Sequence, residues 1–261
     1  YAAPIIGDEA DKIASSLGMR VFEPGQTGTS ILVLNADSDK PIKDEYDNVK
    51  NIDEIVQRDL PRYIVHWYWN KIVNKSINFE LKYENNLIEI ENPAEINPYK
   101  TFIKAYRKYQ ENKKERKFSE TKTFAKVMME RPKVDVGYVS LSTSPIMNMK
   151  NKDLFPIFKS GEPVVAFMRG IGHIVYYDKF PLTTDNAENT CFGIFFIDTT
   201  AAPNGEEKGA VDREFRLMEN QTHDRWEYQS GKHDHNYLKA VTTKVTEMVK
   251  GLCIQQAEEQ K

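Results

Sequence analysis

The sequence predicts an α/β protein of the mixed, α+β kind, with helices packed on a sheet. Two observations carry this. Residues 134–141, 163–168, 173–177 and 191–197 are apolar or alternating runs of strand length, all in the second half of the chain. Around them lie stretches whose apolar residues recur at three- and four-residue steps, as on a helix with one buried face. Strands interleaved with such helices pack as layers around a shared core.

Taken in order, residues 9–17 read as a short helix broken by Gly18, and residues 19–22 as a strand. Glu23 to Gly28 (EPGQTG) is turn chemistry, and Thr29 to Leu34 (TSILVL) is a β-branched, buried strand. Residues 35–50 are polar and loop-like. The clearest helix covers 52–73, with Ile52, Ile55, Val56, Leu60, Tyr63, Ile64, Trp67, Tyr68, Ile72 and Val73 on one face. That stripe assigns Trp67 to the core and leaves Trp69 beside it. Pro61 lies inside the pattern and predicts a kink, because proline removes a backbone donor. Residues 77–83 and 87–90 alternate around Glu84-Asn85-Asn86, a hairpin signal. Residues 98–117 form a charged helix with Phe102, Tyr106 and Tyr109 on one side, and 112–123 read as a mobile loop. A short helix follows at 212–219. The last helix, 235–255, carries Leu238, Val241, Val245, Met248 and Leu252 over about two heptads, too few for a coiled coil, so it packs on the sheet.

Composition narrows the function classes. The chain has 261 residues, enough for one large or two small domains, with 40% hydrophobic and 29% charged residues. A formal charge of −3 gives no global attraction to nucleic acid or membrane. Cys191 and Cys253 are the only two cysteines and form no CxxC pair, which reads as a reduced, cytoplasmic protein. No apolar run reaches the ~18 residues of a membrane span. The first residues lack the basic and apolar regions of a signal peptide, and without an initiator Met the expectation is a piece of a longer chain.

Three groups of residues carry chemical potential. Gly25 to Ser30 (GQTGTS) offers small residues, hydroxyls and successive backbone N–H groups, the makings of an anion nest; no Lys follows the glycines, so it is not a Walker loop. His223 with Asp224, and His233-Asp234-His235, offer metal-binding side chains, but His233 and His235 point to opposite faces of an extended chain. A polar loop with helix-capping character is the plainer reading. Cys191 and His173 have the composition of a thiol and its base, yet each sits in an apolar run where cysteine is inert packing.

Order along the chain adds a resemblance. Residues 23–31 (EPGQTGTSI) look like the last nucleotide-site element of GHKL ATPases, where a Gly-Thr-Ser segment follows the ATP lid and opens a strand. Residues 130–141 (ERPKVDVGYVSL) and 164–175 (VVAFMRGIGHIV) resemble two sheet segments of the transducer domain that follows. Residues 215–226 (FRLMENQTHDRW) resemble a segment of bacterial GHKL proteins of the MORC-like (paraMORC) kind, which are linked to phage defence and restriction. Together, over about residues 23–226, these landmarks resemble the rear, transducer-containing part of a GHKL-type ATPase.

The resemblance implies that residues 1–40 end a nucleotide-binding domain and that 41–261 form a transducer-like α/β domain with a C-terminal helix. It implies one mixed sheet over 133–198 with a βαβ crossover. It implies ATP and Mg2+ as cofactors of the full-length protein, with Gln26, Thr27, Gly28, Thr29 and Ser30 at the nucleotide. Lys150, Lys152 and Arg169 are its candidates for the transducer cation that meets the γ-phosphate, where positive charge offsets charge developing in phosphoryl transfer. His223 and Trp226 then anchor a loop that positions the final helix. The family's Glu- and Asn-bearing helix and its Asp-x-Gly-x-Gly adenine loop do not occur in this sequence, so the resemblance places them upstream and predicts no ATP hydrolysis by this chain alone. Its implied partners are ATP, an upstream ATPase domain, a second copy in a homodimer, and DNA, without a membrane.

Two rival readings come from other classes. Residues 104–133 carry 11 Lys/Arg against 4 Glu, with Tyr106, Tyr109 and Phe118 interleaved, and suit a non-enzymatic nucleic-acid- or protein-binding module. A self-contained hydrolase or metal enzyme would draw on His223, His233, His235 or Cys191.

Overall fold

A computed structural model of the protein describes residues 5–19, 22, 23, 25, 42, 43, 49–83, 86–115, 120–146, 155–159, 161–181, 189–222, 224–233 and 235–258. The chain divides into two units, Tyr1–Ile55 and Val56–Lys261. In the first, helix α1 (Asp8–Ser16) has Asp8, Glu9 and Asp11 in its first turn, where carboxylates complement the positive helix end. Strands β1 (Ile42–Lys43) and β2 (Val49–Lys50) pair antiparallel. Helix α2 (Ile52–Glu54) is capped by Asn51, whose side chain accepts from the Glu54 N–H at 2.8 Å. The strands expected at 19–22 and 29–34 fall wholly or partly outside the described residues.

The second unit is built on a five-stranded sheet. Its strands are β5 (Phe124–Glu130), β6 (Lys133–Pro145), β7 (Val164–Met168), β8 (Ile174–Lys179) and β9 (Asn189–Ile197), in the order β5-β6-β9-β7-β8. Every pairing is antiparallel except β7 with β9. All four strand runs read from the sequence are present and share this one mixed sheet. Strand β5 was not foreseen, because Lys122, Lys126 and Lys133 make its surroundings look like a charged loop. The expected βαβ crossover is not what joins the parallel pair. After β7, the Arg169 N–H donates to the His173 carbonyl at 2.8 Å and the Gly172 N–H to the Arg169 carbonyl at 2.7 Å, a tight turn that reverses the chain into β8.

Side-chain alternation on the central strands sorts two cores. Phe192, Ile194 and Phe196 of β9 face one layer with Val65, Trp69, Phe102 and Phe158. Cys191, Phe195 and Ile197 face the other with Phe215, Trp226, Val241 and Val245. The first layer is helices α3 (Leu60–Val73) and α4 (Tyr99–Glu115), joined by Phe158 from the short helix α5 (Pro156–Lys159). The second is α6 (Ala210–Leu217) and α7 (Tyr237–Glu258). With both faces covered, β7 is buried at all five positions, as expected for a strand that reads as continuously apolar. Helix α4 runs through Glu115, into the stretch expected to be loop. Strands β3 (Leu81–Tyr83) and β4 (Asn86–Ile88) form the predicted hairpin.

The stripe read on the first long helix needs correction. Residues Ile55–Asp59 form a π-helix ahead of α3. Pro61 has no N–H for the Gln57 carbonyl, and the wider turn places Pro61 in the first turn of α3, where that donor is not required. A π turn carries an extra residue, and one residue rotates a helix face by ~100°. Pro61, Val65, His66, Trp69 and Asn70 are therefore buried, while Tyr63 is 48% exposed. Trp69, not Trp67, lies in the core.

Gly137 and Gly193 set how closely β6 and β9 approach: a Cβ at Gly137 would lie 2.3 Å from the Phe196 carbonyl oxygen. A Cβ at Gly193 would lie 2.3 Å from Leu141 Cδ2 and 2.7 Å from the Ser140 carbonyl oxygen. Gly193→Ala is expected to destabilise the protein by at least about 2 kcal/mol through overpacking. Gly251→Ala, in α7 with no atom within 4 Å of the added carbon, should raise stability by about 0.5–1 kcal/mol. Urea denaturation of the two variants checks both signs.

Candidate functional site

Because β7 and β9 run parallel, their C-terminal ends meet at one edge of the sheet, the place where open α/β sheets present loops to ligands. Arg169 and Gly170 follow β7 there, and Asp198, Thr199 and Thr200 follow β9. A Cβ at Gly170 would fall 1.6 Å from Thr199 Cγ2, so the two loops meet only if this residue is glycine. Arg169 Nη1 donates to Glu219 Oε2 at 2.9 Å, with the Glu219 side chain 1% exposed and that of Arg169 25% exposed. Glu219 is in turn fixed by its antiparallel bridge to Trp226. The segment around Trp226 thus holds the carboxylate that grips Arg169. Asp212 in α6 pairs with Arg216 at 2.7 Å and points its other oxygen toward Gly170. That Asp212 oxygen, Arg169 Nε and Trp226 Nε1 are buried with no hydrogen-bond partner among the described residues.

Of the residues expected at a nucleotide, only Arg169 can be placed. Gln26, Thr27, Gly28, Thr29, Ser30, Lys150 and Lys152 lie outside the described residues. Glu219, the partner that orients Arg169, was missed as a site residue, since a single Glu 50 positions away leaves no spacing signal.

A second concavity, of about 380 Å³, opens on the α3 side of the sheet. The π-helix and the start of α3 contribute Gln57, Arg58, Pro61, Arg62 and Val65, and the stretch after β4 contributes Glu89 and Glu91. Ile96, Tyr99 and Phe155 complete it. Asp59, buried to 9% side-chain exposure, lies 3.1 Å from Arg58 Nε and 4.0 Å from Arg62 Nη1. Arg62 also sits over the Phe155 ring at 5.5 Å.

Beneath this cleft lies His66. Its ring stacks on Phe155 at 4.1 Å, and the Tyr99 hydroxyl hydrogen-bonds Nδ1 at 3.0 Å. Burial away from water lowers its pKa from the ordinary 6.5 to about 3, so it is neutral at physiological pH. Burial also raises the pKa of Tyr99, partly opposed by the Arg62 charge.

The other sequence-flagged groups do not converge. His233 Nδ1 pairs with Glu214 at 3.2 Å and His235 Nε2 with Glu206 at 3.6 Å, while His223 is outside the described residues. Cys191 lies next to the residue opposite Val164 at the start of β7, whereas His173 follows its end. Five-residue β7 separates them by roughly 13 Å, too far for a thiol and its base. No group of three His, Cys, Asp or Glu side chains among the described residues is placed to hold a metal ion, and no described helix is long and apolar enough to cross a membrane. Comparison with protein-family models, with curated proteins and with solved structures finds no match to this chain.

Two outcomes follow. Arg169→Ala leaves the buried Glu219 carboxylate without its cation and should cost about 3–5 kcal/mol in urea denaturation, most of it recovered when Glu219→Leu is combined with Arg169→Met. His66 stays neutral in the folded protein while the unfolded chain takes up a proton. Stability should therefore fall as pH drops from 6.5 toward 3, by up to about 5 kcal/mol. His66→Gln should flatten that pH dependence by one proton.

Proposed function

We propose that this chain is the coupling part of a GHKL-type ATP switch. In this reading ATP and Mg2+ bind a nucleotide-binding domain upstream. Thr27 to Ser30 and Arg169 then engage the γ-phosphate, and the locked arrangement favours a second conformation or a homodimer, as expected for a ligand that binds two states unequally. The output this fits is a DNA transaction or antiviral defence in the cytoplasm.

The observation that supports the reading best is the setting of Arg169. It stands at the C-terminal end of a parallel strand, a quarter exposed, with one nitrogen gripped by a buried carboxylate. A guanidinium oriented in advance pays little reorganisation when a phosphate arrives, and its planar fork matches phosphate oxygens. A single mixed sheet over residues 133–198 agrees with this reading, while the βαβ crossover it also calls for is replaced by the β7–β8 hairpin. Magnesium has no ligand set among the described residues, so no residue of this chain is assigned to it. ATP binding by a chain extended at its N-terminus tests the proposal. Thr29→Ala and Arg169→Lys should each weaken affinity about tenfold or more, the loss expected for one charge-assisted hydrogen bond. Unchanged affinity in both variants would sink it.

A non-enzymatic nucleic-acid-binding module is the second reading, and one observation favours it. Lys104, Arg107 and Lys114 lie on the exposed side of α4, together with Lys100. Tyr106 and Tyr109 are buried on the opposite side, so bases would find charge there but no stacking platform. Lys126 is paired with Asp135 at 2.6 Å. DNA binding through this stripe should weaken with a log–log salt slope of about −3 to −4, near −0.9 per phosphate contacted. No binding at low salt removes it.

A further inference from the structure

The cleft above His66 has no role in either reading, and we propose that it binds a small zwitterion with an apolar body, of about dipeptide size, its carboxylate on the arginines and its ammonium on the glutamates. Its volume of about 380 Å³ falls within the range of small-molecule sites. Charge is segregated by element: Arg58 and Arg62 come from the helical side, Glu89 and Glu91 from the stretch after β4. Asp59 accepts a hydrogen bond from Arg58 Nε at 3.1 Å and lies 4.0 Å from Arg62 Nη1, which restrains Arg58, and Arg62 more weakly, as donors for a carboxylate. Glu89 and Glu91 are exposed and separated by one residue, a spacing that returns side chains to one side of an extended chain. Pro61, Val65, Ile96 and Phe155 supply apolar lining in the same cleft.

This lining selects against simpler ligands. A polyanion would meet the two glutamates, and a divalent cation the two guanidinia. A neutral apolar molecule would use the apolar lining and neither charged group. A ligand carrying both signs on an apolar frame matches all three parts. The π-helix that presents Gln57 and Arg58 is a rare geometry that occurs frequently at functional sites.

The test is an NMR titration of the whole chain, without nucleotide, using the dipeptide Ala-Phe, its C-terminal amide and its N-acetyl form. Ala-Phe should give saturable shifts confined to the residues around the cleft. Each capped form, having lost one charge, should bind about tenfold more weakly. Arg62→Gln should abolish the preference for Ala-Phe over its amide, and Glu89→Gln with Glu91→Gln the preference over the N-acetyl form. These three side chains are solvent-accessible, and an unchanged urea midpoint in the variants verifies that the fold is kept. No saturable shift up to about 10 mM dipeptide, equal affinity for the three forms, or shifts centred elsewhere would overturn the proposal. None of these outcomes depends on ATP binding at Arg169.

Discussion

Burial of β7 and β9 on both faces is the constraint on which the rest of the second unit depends. Their side chains fill two cores at once, so neither face of the central sheet is left to carry polar chemistry. Reactive groups are displaced to the strand ends and to the outward faces of the helices. Arg169 sits at the first kind of place and the Arg58–Arg62 wall at the second. The parallel register of β7 and β9 then matters more than its five residue pairs suggest. It brings the loops after both strands to one edge, where Gly170 lets them touch and where α6 begins.

The core facing α3 and α4 also holds a polar knot. The Tyr177 hydroxyl donates to the His66 carbonyl and accepts from Trp69 Nε1 at 3.0 Å, and Asn70 Nδ2 donates to the Gly172 carbonyl at 2.7 Å. These bonds tie α3 to β8 and to the turn before it, and they satisfy groups whose burial would otherwise be costly. They have a directional effect that apolar packing lacks, since each requires one rotational setting of the helix. The π turn and the knot therefore agree: the first sets the phase of α3, and the second holds it there.

Much of this architecture was legible in the sequence because it follows periodicity. The strands of residues 134–197 and the helices α4, α6 and α7 stand close to where apolar spacing put them. The misses have physical causes. Strand β5 is an edge strand whose polar side chains face outward between lysines, which masks its buried Phe124, Ala125 and Val127. Trp69 was displaced from the predicted stripe by a single extra residue of helical turn, and Pro61 was the only mark of it in the sequence. The βαβ crossover expected within residues 133–198 gave way to a hairpin after β7, because residues 169–173 make a tight turn. For the sites, Arg169 is one of three cations put forward by the family resemblance, with Lys150 and Lys152, but Glu219 was not legible, because ion pairs between distant segments have no period. The cleft was equally hidden: Arg58, Arg62, Glu89 and Glu91 look like ordinary surface charges until the hairpin places them around one hollow.

The partition of the two cores also separates the protein's tryptophans. Trp69 lies in the core beneath α3, hydrogen-bonded to Tyr177, and Trp67 packs at its margin. Trp226 is alone in the opposite core, ringed by Phe167, Phe195, Phe215 and Tyr176, with its indole nitrogen lacking a partner among the described residues. The molecule thus carries built-in optical reporters with different surroundings, one group for each side of the sheet. Replacing Trp226 with phenylalanine would leave emission that reads the α3–α4 layer alone. Loosening of one layer could then be distinguished from melting of the whole domain without attaching any label.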